Sequence, residues 1–226
     1  MPLDTEAIET ITVDSYGTLV DPSAATDALE GRVENPVDVS DLWRSRSLTY
    51  AMVGNAIDRY QDFYQMNRDG LAYALAAHGY DLPEGTVSEI LSVYHELDPF
   101  EDVRPGLTRL RDAGYPVYVV SNGSPEMLES MVDSAGIDEV IEDTISADEV
   151  ERFKPEPEIY RHAAARTGTP IDRIAHVAGP SFDVQGAKSA GMQAIWLNRL
   201  DDPWETFGPE PDHVAETFED VADLLE

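Results

Sequence analysis

"ITVDSYGTLVD" (residues 11–21) decides how the rest of the chain is read. A β-branched run, good strand material, stops on the carboxylate of Asp14, and Ser-Tyr-Gly-Thr follows at once. A carboxylate at the end of a strand either caps the next segment or faces a ligand, and on its own the cap is the better reading. Gly17 lets the chain turn tightly, so that backbone N–H groups can face an anion. Asp14 also has the chemistry of a nucleophile, since a carboxylate attacks carbon or phosphorus to give a covalent ester or acyl phosphate. The choice rests on partners elsewhere in the chain.

Other short apolar runs recur: "PVYVVSN" (116–122), "IAHVAG" (174–179), "QAIWLN" (193–198) and a weaker "DHVAE" (212–216). Helical stretches lie among them, including "GLTRLRDAG" (106–114), "PEMLESMVDSAG" (125–136), "PEPEIYRHAAARTG" (155–168) and "DVQGAKSAGM" (183–192). Several start on proline and stop on glycine, the usual helix start and stop. Alternating strands and helices predict an α/β fold, a doubly wound Rossmann-like parallel sheet. The rhythm fails between about residues 22 and 100, where amphipathic helices such as "DLWRSRSLTYAMV" (41–53) and "NRDGLAYALAAHG" (67–79) replace strands. The expected organisation is an α/β core from residues 1–21 and 101–226, with a helical cap inserted over 22–100. In such sheets ligands bind beyond the carboxyl ends of the strands, which groups Asp14, Ser121, Asn122, Lys154 and Asp183. Lys154 is expected to open a helix there.

Composition narrows the class of function. The chain has 226 residues, 15 Lys and Arg against 45 Asp and Glu, and a net charge of −30. Such a surface repels nucleic acid and anionic lipid, so neither is an expected partner. The acids are scattered and form no tail, which points to salt adaptation; an unusually acidic protein of an ordinary cytoplasm is the alternative. Without cysteine there is no disulfide, thiolate metal site or Cys nucleophile. No run approaches the ~20 apolar residues of a membrane span, and the acidic start "MPLDTEAIET" lacks a signal-peptide core, so a cytoplasmic location is expected. The five histidines show no metal-ligand spacing, and His176, in a strand, reads as a packing residue.

Four motifs in order, "DSYGT" (14–18), "SNG" (121–123), Lys154 in "FKPEPEIY", and Asp183 in "AGPSFDVQGAKSAGM", resemble the haloacid dehalogenase superfamily over nearly the whole chain. Its magnesium phosphatases carry a second Asp two residues after the nucleophile; here that position is Tyr16. "DSYGTL", "LWRSRSLTY" (42–50), "YQDFYQMN" (60–67) and "WLNR" (196–199) look instead like the metal-independent L-2-haloacid dehalogenases.

That resemblance implies attack by Asp14 on the α-carbon of a 2-haloalkanoate, displacement of halide, and hydrolysis of the aspartyl ester to a 2-hydroxy acid. It implies a catalytic set of Asp14, Arg44, Lys154, Asp183, Thr18 and Asn122, with no metal or other cofactor. Lys154 would keep Asp14 ionised, Arg44 and Asn122 would meet the halide, and Asp183 would orient Lys154 and the hydrolytic water. Ser15, Tyr16, Leu48, Phe63, Ser121, Tyr160 and Phe182 would bind substrate, and a homodimer is implied too. Taken singly, Arg44 also reads as a helix-face partner of Asp41, and Leu48 and Phe63 as core. The family's motif four carries Ser and Asn where this chain has Ala178 and Pro180, with Ser181 adjacent as a substitute. The other readings are a magnesium-dependent phosphatase of the superfamily and a non-catalytic member that binds an anion or a protein.

Overall fold

The computed structural model describes residues 2–226. Six parallel strands form one sheet, in the order β3-β2-β1-β4-β5-β6. They are β1 (Thr10–Val13), β2 (Val117–Ser121), β3 (Asp143–Ser146), β4 (Ile174–Ala178), β5 (Gln193–Leu197) and β6 (His213–Ala215). All of β1 and β4 is buried, as expected for central parallel strands covered on both faces by helices. From β1 the chain proceeds outward through β2 and β3, then returns to the other side of β1 for β4, β5 and β6. The order therefore reverses between β1 and β4, and the crevice beyond their carboxyl ends is the natural ligand site. Asp14 leaves β1 at that point, its N–H bonded to Val177 O at 3.0 Å.

The doubly wound sheet expected from the sequence is present, with one strand more than its patterns revealed. β3 reads "DTIS"; only its last two residues are buried, so no apolar run announces it. The helices after β2 follow the punctuation. Helix α6 (Pro125–Ala135) starts on Ser124, whose Oγ accepts from Met127 N, and ends on left-handed Gly136. Helices α7 (Pro157–Thr167) and α8 (Ser181–Ala190) end on left-handed Gly168 and Gly191. Lys154 does not open a helix; it sits in the turn before α7. Proline at residue 155 and the α7 start at Pro157 keep that turn out of the helix.

No strand of the sheet falls in residues 22–100; the helices there are α1 (Ala24–Asp27), α2 (Pro36–Ala56), α3 (Phe63–Ala77) and α4 (Glu84–Leu91). The main unit is the α2–α3 pair. Its backbones approach closely at Gly70, where a Cβ would lie 2.5 Å from Ser47 Oγ and 3.0 Å from Trp43 O. Trp43 Nε1 donates to Asn67 O across the pair at 2.8 Å. Helix α5 (Val103–Asp112) then lies against β2 and the C-terminal α9 (Phe218–Leu225).

One contact ties the helices to the sheet's crevice. The Asn55 amide, near the end of α2, donates to Phe153 O at 2.8 Å and accepts from Phe153 N at 3.0 Å. Both polar groups of the residue before Lys154 are thus held by one side chain. Tyr60 stacks on Phe153 with ring centroids 4.8 Å apart, and its hydroxyl bonds Asp148.

Candidate active site

Above the carboxyl ends of β1, β2 and β4 lies a cavity of about 770 Å³. Its floor is built by the turns that follow those strands. Gly17, at φ 81°, closes the turn after Asp14, with its N–H bonded to Val20 O at 2.9 Å. That fold-back brings Thr18 Oγ1 to Asp14 Oδ2 at 2.9 Å, while Gly179 N donates to the same hydroxyl at 2.8 Å. The hydroxyl thus links the β1 turn to the β4 turn.

Lys154 holds the centre. Its Nζ lies 2.8 Å from Asp14 Oδ1 and 2.6 Å from Asp183 Oδ2, and the side chain is 1% exposed. Burial lowers the pKa of an ammonium, but the two carboxylates outweigh that and raise it, so Lys154 remains a cation. Burial drives the Asp14 carboxyl above its ordinary range, opposed by Lys154 and reinforced by the charge of Asp183. Such a carboxylate is poorly solvated and basic, a favourable state for a nucleophile.

Asp183 is different. Burial alone would raise its pKa, yet His176 and Lys154 hold it well below the carboxylate range. Its Oδ1 accepts from Tyr160 OH at 2.7 Å, and its Oδ2 also faces His176 Nε2 at 3.0 Å. His176 is fully buried in β4 and meets Thr12 Oγ1 through Nδ1 at 2.9 Å. The packing role expected of His176 omits this polar contact. A lone histidine in an apolar run gives no sign of it, because Asp183 is distant in the local pattern of strand and helix.

Nine of the thirteen expected site residues line the cavity: Asp14, Tyr16, Arg44, Leu48, Phe63, Ser121, Asn122, Lys154 and Phe182. Ser15, Thr18, Tyr160 and Asp183 lie behind its wall, fully buried. The side chains of Ser15 and Tyr160, expected against the substrate, do not line the cavity. The Ser15 hydroxyl turns to Ser121 Oγ at 2.6 Å, and the Tyr160 hydroxyl is held by Asp183. The Ser121 hydroxyl, expected on the nucleophile or substrate, is engaged by Ser15 and by Gly123 N at 3.0 Å. Ser181 does not stand in for the missing motif-four groups, since its hydroxyl donates to Glu205 Oε1 at 3.1 Å.

Two polar groups face the cavity without a strong protein partner. Asn122 Oδ1 accepts from Lys154 N at 2.8 Å, which leaves its Nδ2 free of any protein partner among the described residues. Among the described residues Arg44 has only Asp41 as an ion-pair partner, at 4.0 Å and exposed, a weak tie. Sequence reasoning missed Tyr94, Trp196 and Arg199 in the wall. Tyr94 stands edge-on to Tyr16 and Trp43, and burial pushes its hydroxyl up to about 12 against the pull of Arg44. Trp196 Nε1 holds Gly179 O at 2.9 Å. Arg199 is committed to Asp102, at 2.8 and 3.0 Å, and to Thr18 O at 3.0 Å, so it braces the β1 turn. The family-typical "WLNR" ending contained both residues, but not their direction.

The arrangement is a basic, desolvated carboxylate pinned to an ammonium, facing a largely apolar chamber with two uncommitted donors. It can attack an electrophilic carbon or phosphorus and stabilise a departing anion.

Known proteins agree with that chemistry. The family model described as haloacid dehalogenase-like hydrolase matches residues 8–191. The (S)-2-haloacid dehalogenase 2 of Pseudomonas sp. (strain CBS-3) is 32% identical over 222 residues, covering 97% of this chain and 96% of that protein. The haloacetate dehalogenase H-2 of Moraxella sp. (strain B) is 32% identical over 219 residues, 96% of this chain and 98% of its own. Among solved structures, the L-2-haloacid dehalogenase from Xanthobacter autotrophicus with chloropropionic acid covalently bound superposes with a TM-score of 0.91. It is 27% identical, with 96% of this chain and 98% of that one covered.

Proposed function

The chain belongs to the haloacid dehalogenase-like hydrolases, and from that premise we propose that it hydrolyses short-chain 2-haloalkanoic acids to 2-hydroxy acids through an ester on Asp14. The observation that carries this reading is the Asp14–Lys154–Asp183 line, at 2.8 and 2.6 Å, beneath a cavity whose uncommitted donors are Arg44 and Asn122. A carboxylate oxygen of Asp14 attacks C2, the carbon–halogen bond breaks, and the halide leaves with its electron pair toward Arg44 and Asn122 Nδ2. Inversion at C2 follows from attack opposite the leaving group. Water then adds to the Asp14 carbonyl carbon, the bond from that carbon to the ester oxygen breaks, one water proton passes to the departing alkoxide and the other to solvent, and the hydroxy acid leaves with an oxygen that came from Asp14. The backbone N–H groups of Ser15 and Tyr16 meet no protein acceptor among the described residues, which leaves them for the substrate carboxylate. Tyr16, Leu48, Phe63, Phe182 and Tyr94 exclude water from a weakly hydrated leaving group.

A metal-independent reaction is favoured by Tyr16 at the position two residues after the nucleophile, and by Asp183, whose oxygens already face three donors. Residues 22–100 act as a cap in this reading, contributing Arg44, Leu48, Phe63 and Tyr94. The charge of −30 belongs with a salt-rich cytoplasm. No helix among the described residues is long and apolar enough to cross a membrane. A homodimer is part of the same reading.

The test is bromide release from L- and D-2-bromopropionate with excess chelator, alongside phosphate release from a generic monoester with and without magnesium. Bromide from the L form despite the chelator is the expected result. Magnesium-dependent phosphate without bromide would replace this reading with a phosphatase.

A further inference from the structure

A histidine with no exposed surface, in the middle of a parallel sheet, needs a physical reason. Its register neighbours are Thr12 on β1 and Ala194 on β5, and a branched aliphatic would fill that slot without bringing buried polar atoms. His176 instead meets a polar group with each ring nitrogen. Nδ1 is 2.9 Å from Thr12 Oγ1, and Nε2 is 3.0 Å from Asp183 Oδ2. The ring N–H is not aimed straight along the second contact, so its character is electrostatic.

We infer that His176 is a positioning residue for the reaction at Asp14: it grips Asp183 from the core side, so that Asp183 fixes Lys154 as the bridge to the nucleophile. The cavity side offers no such grip. Residues 178 and 180 are Ala and Pro, with no side-chain donor, and Ser181 is turned to Glu205. Asp183 therefore depends on groups from behind: Tyr160 from α7 donates to Oδ1 and His176 from β4 faces Oδ2, with the Tyr160 ring edge-on to the imidazole at 5.7 Å. The titratable and charged groups around this centre are Asp14 at the end of β1, Lys154 in the turn before α7, Tyr160 on α7 and Asp183 on α8. On the β5 side the register neighbour of His176 is Ala194. His176 does not line the cavity, so it acts on Asp14 through two intervening side chains.

The rate test rests on the haloacid reading; a second readout does not. His176→Phe keeps the volume and removes both nitrogens, His176→Gln keeps an amide donor, and Thr12→Val removes the hydroxyl that orients the ring. With L-2-bromopropionate, His176→Phe is expected to lower kcat roughly tenfold to a hundredfold, the range seen when a group that orients a working side chain is removed. KM should change by less than about twofold, because the cavity wall is untouched. The acid limb of the kcat profile should move to higher pH, and His176→Gln should recover most of the loss. Independently of substrate, carbon NMR of the Asp183 carboxyl should titrate at higher pH in His176→Phe and in Thr12→Val than in wild type. An unmoved Asp183 midpoint in folded variants overturns the inference, whatever the activity. So does a His176→Phe enzyme with full kcat, or one in which Phe and Gln lower the melting temperature alike with the pH profile unchanged. If His176→Phe does not fold, the midpoint in Thr12→Val decides in the same way. Absence of bromide release by wild type would count against the haloacid reading, with the NMR result still deciding the role of His176.

Discussion

Asp14 carries the account at the scale of single residues. Asp14→Asn removes the proposed nucleophile and leaves Lys154 beside a neutral amide; halide release should fall by more than about a thousandfold, as when other nucleophiles are removed. Because burial raises the Asp14 pKa despite Lys154, the reactive anion is lost as pH falls through that raised value. The acid limb of kcat/KM should accordingly lie above 3.8, the ordinary value for this group. A limb below it would contradict the environment described. Asp183 contributes to stability with the opposite sign. Its depressed folded pKa makes its contribution complete above 3.8 and lost as pH falls through the folded value. Removing one donor from the halide side, in Arg44→Ala or Asn122→Ala, should cost about 10²–10³ in kcat; the melting temperature should change little in Arg44→Ala and fall in Asn122→Ala, which also strips the acceptor from the Lys154 N–H. The placement of Asp14, Lys154 and Asn122 at the cavity was legible in strand ends and spaced motifs, and that of Arg44 only through the resemblance of "LWRSRSLTY" (42–50). The direction of each side chain was not. Ser15 and Tyr160 turn inward to polar partners that the local pattern does not reveal, and His176 becomes informative only once Asp183 is seen above it.

Punctuation made most elements readable: strand runs ending in polar residues, and helices closed by Gly136, Gly168 and Gly191. What escaped was β3, since an edge strand with one buried apolar side chain is written mainly by its pairing with β2. Close approaches between elements were equally hidden. At Gly106 in α5 a Cβ would sit 2.4 Å from Phe218 Cβ and 2.6 Å from Phe218 C, on the facing helix α9. Gly106→Ala should destabilise the protein by about 1–3 kcal/mol through this overlap, read by chemical denaturation, although alanine favours the helix intrinsically. A stabilised variant would mean that α5 and α9 can separate freely. The α2 end is held to the Lys154 turn by the paired Asn55 contacts with Phe153. Asn55→Ala leaves that N–H and C=O without their partner and should cost about 1–3 kcal/mol.

For the molecule as a whole, charge and topology act together. The sheet order places Asp14 at the reversal between β1 and β4, and Arg44, Leu48, Phe63 and Tyr94 from residues 22–100 line the cavity above it. The net charge of −30 opposes compaction at low ionic strength, so the melting temperature should rise as KCl increases from about 0.1 M to 2 M, as screening shortens the range of that repulsion. A flat or falling curve would remove salt adaptation from the account. The ester on Asp14 is the central claim, and one turnover in heavy-oxygen water tests it most directly, with enzyme in excess over L-2-bromopropionate. The account predicts that the first hydroxy acid released carries ordinary oxygen at C2, and that the peptide containing Asp14 gains one heavy oxygen atom. Heavy oxygen in the hydroxy acid with none in the Asp14 peptide would mean that water attacks the substrate directly, and the nucleophile assigned to Asp14 would be wrong.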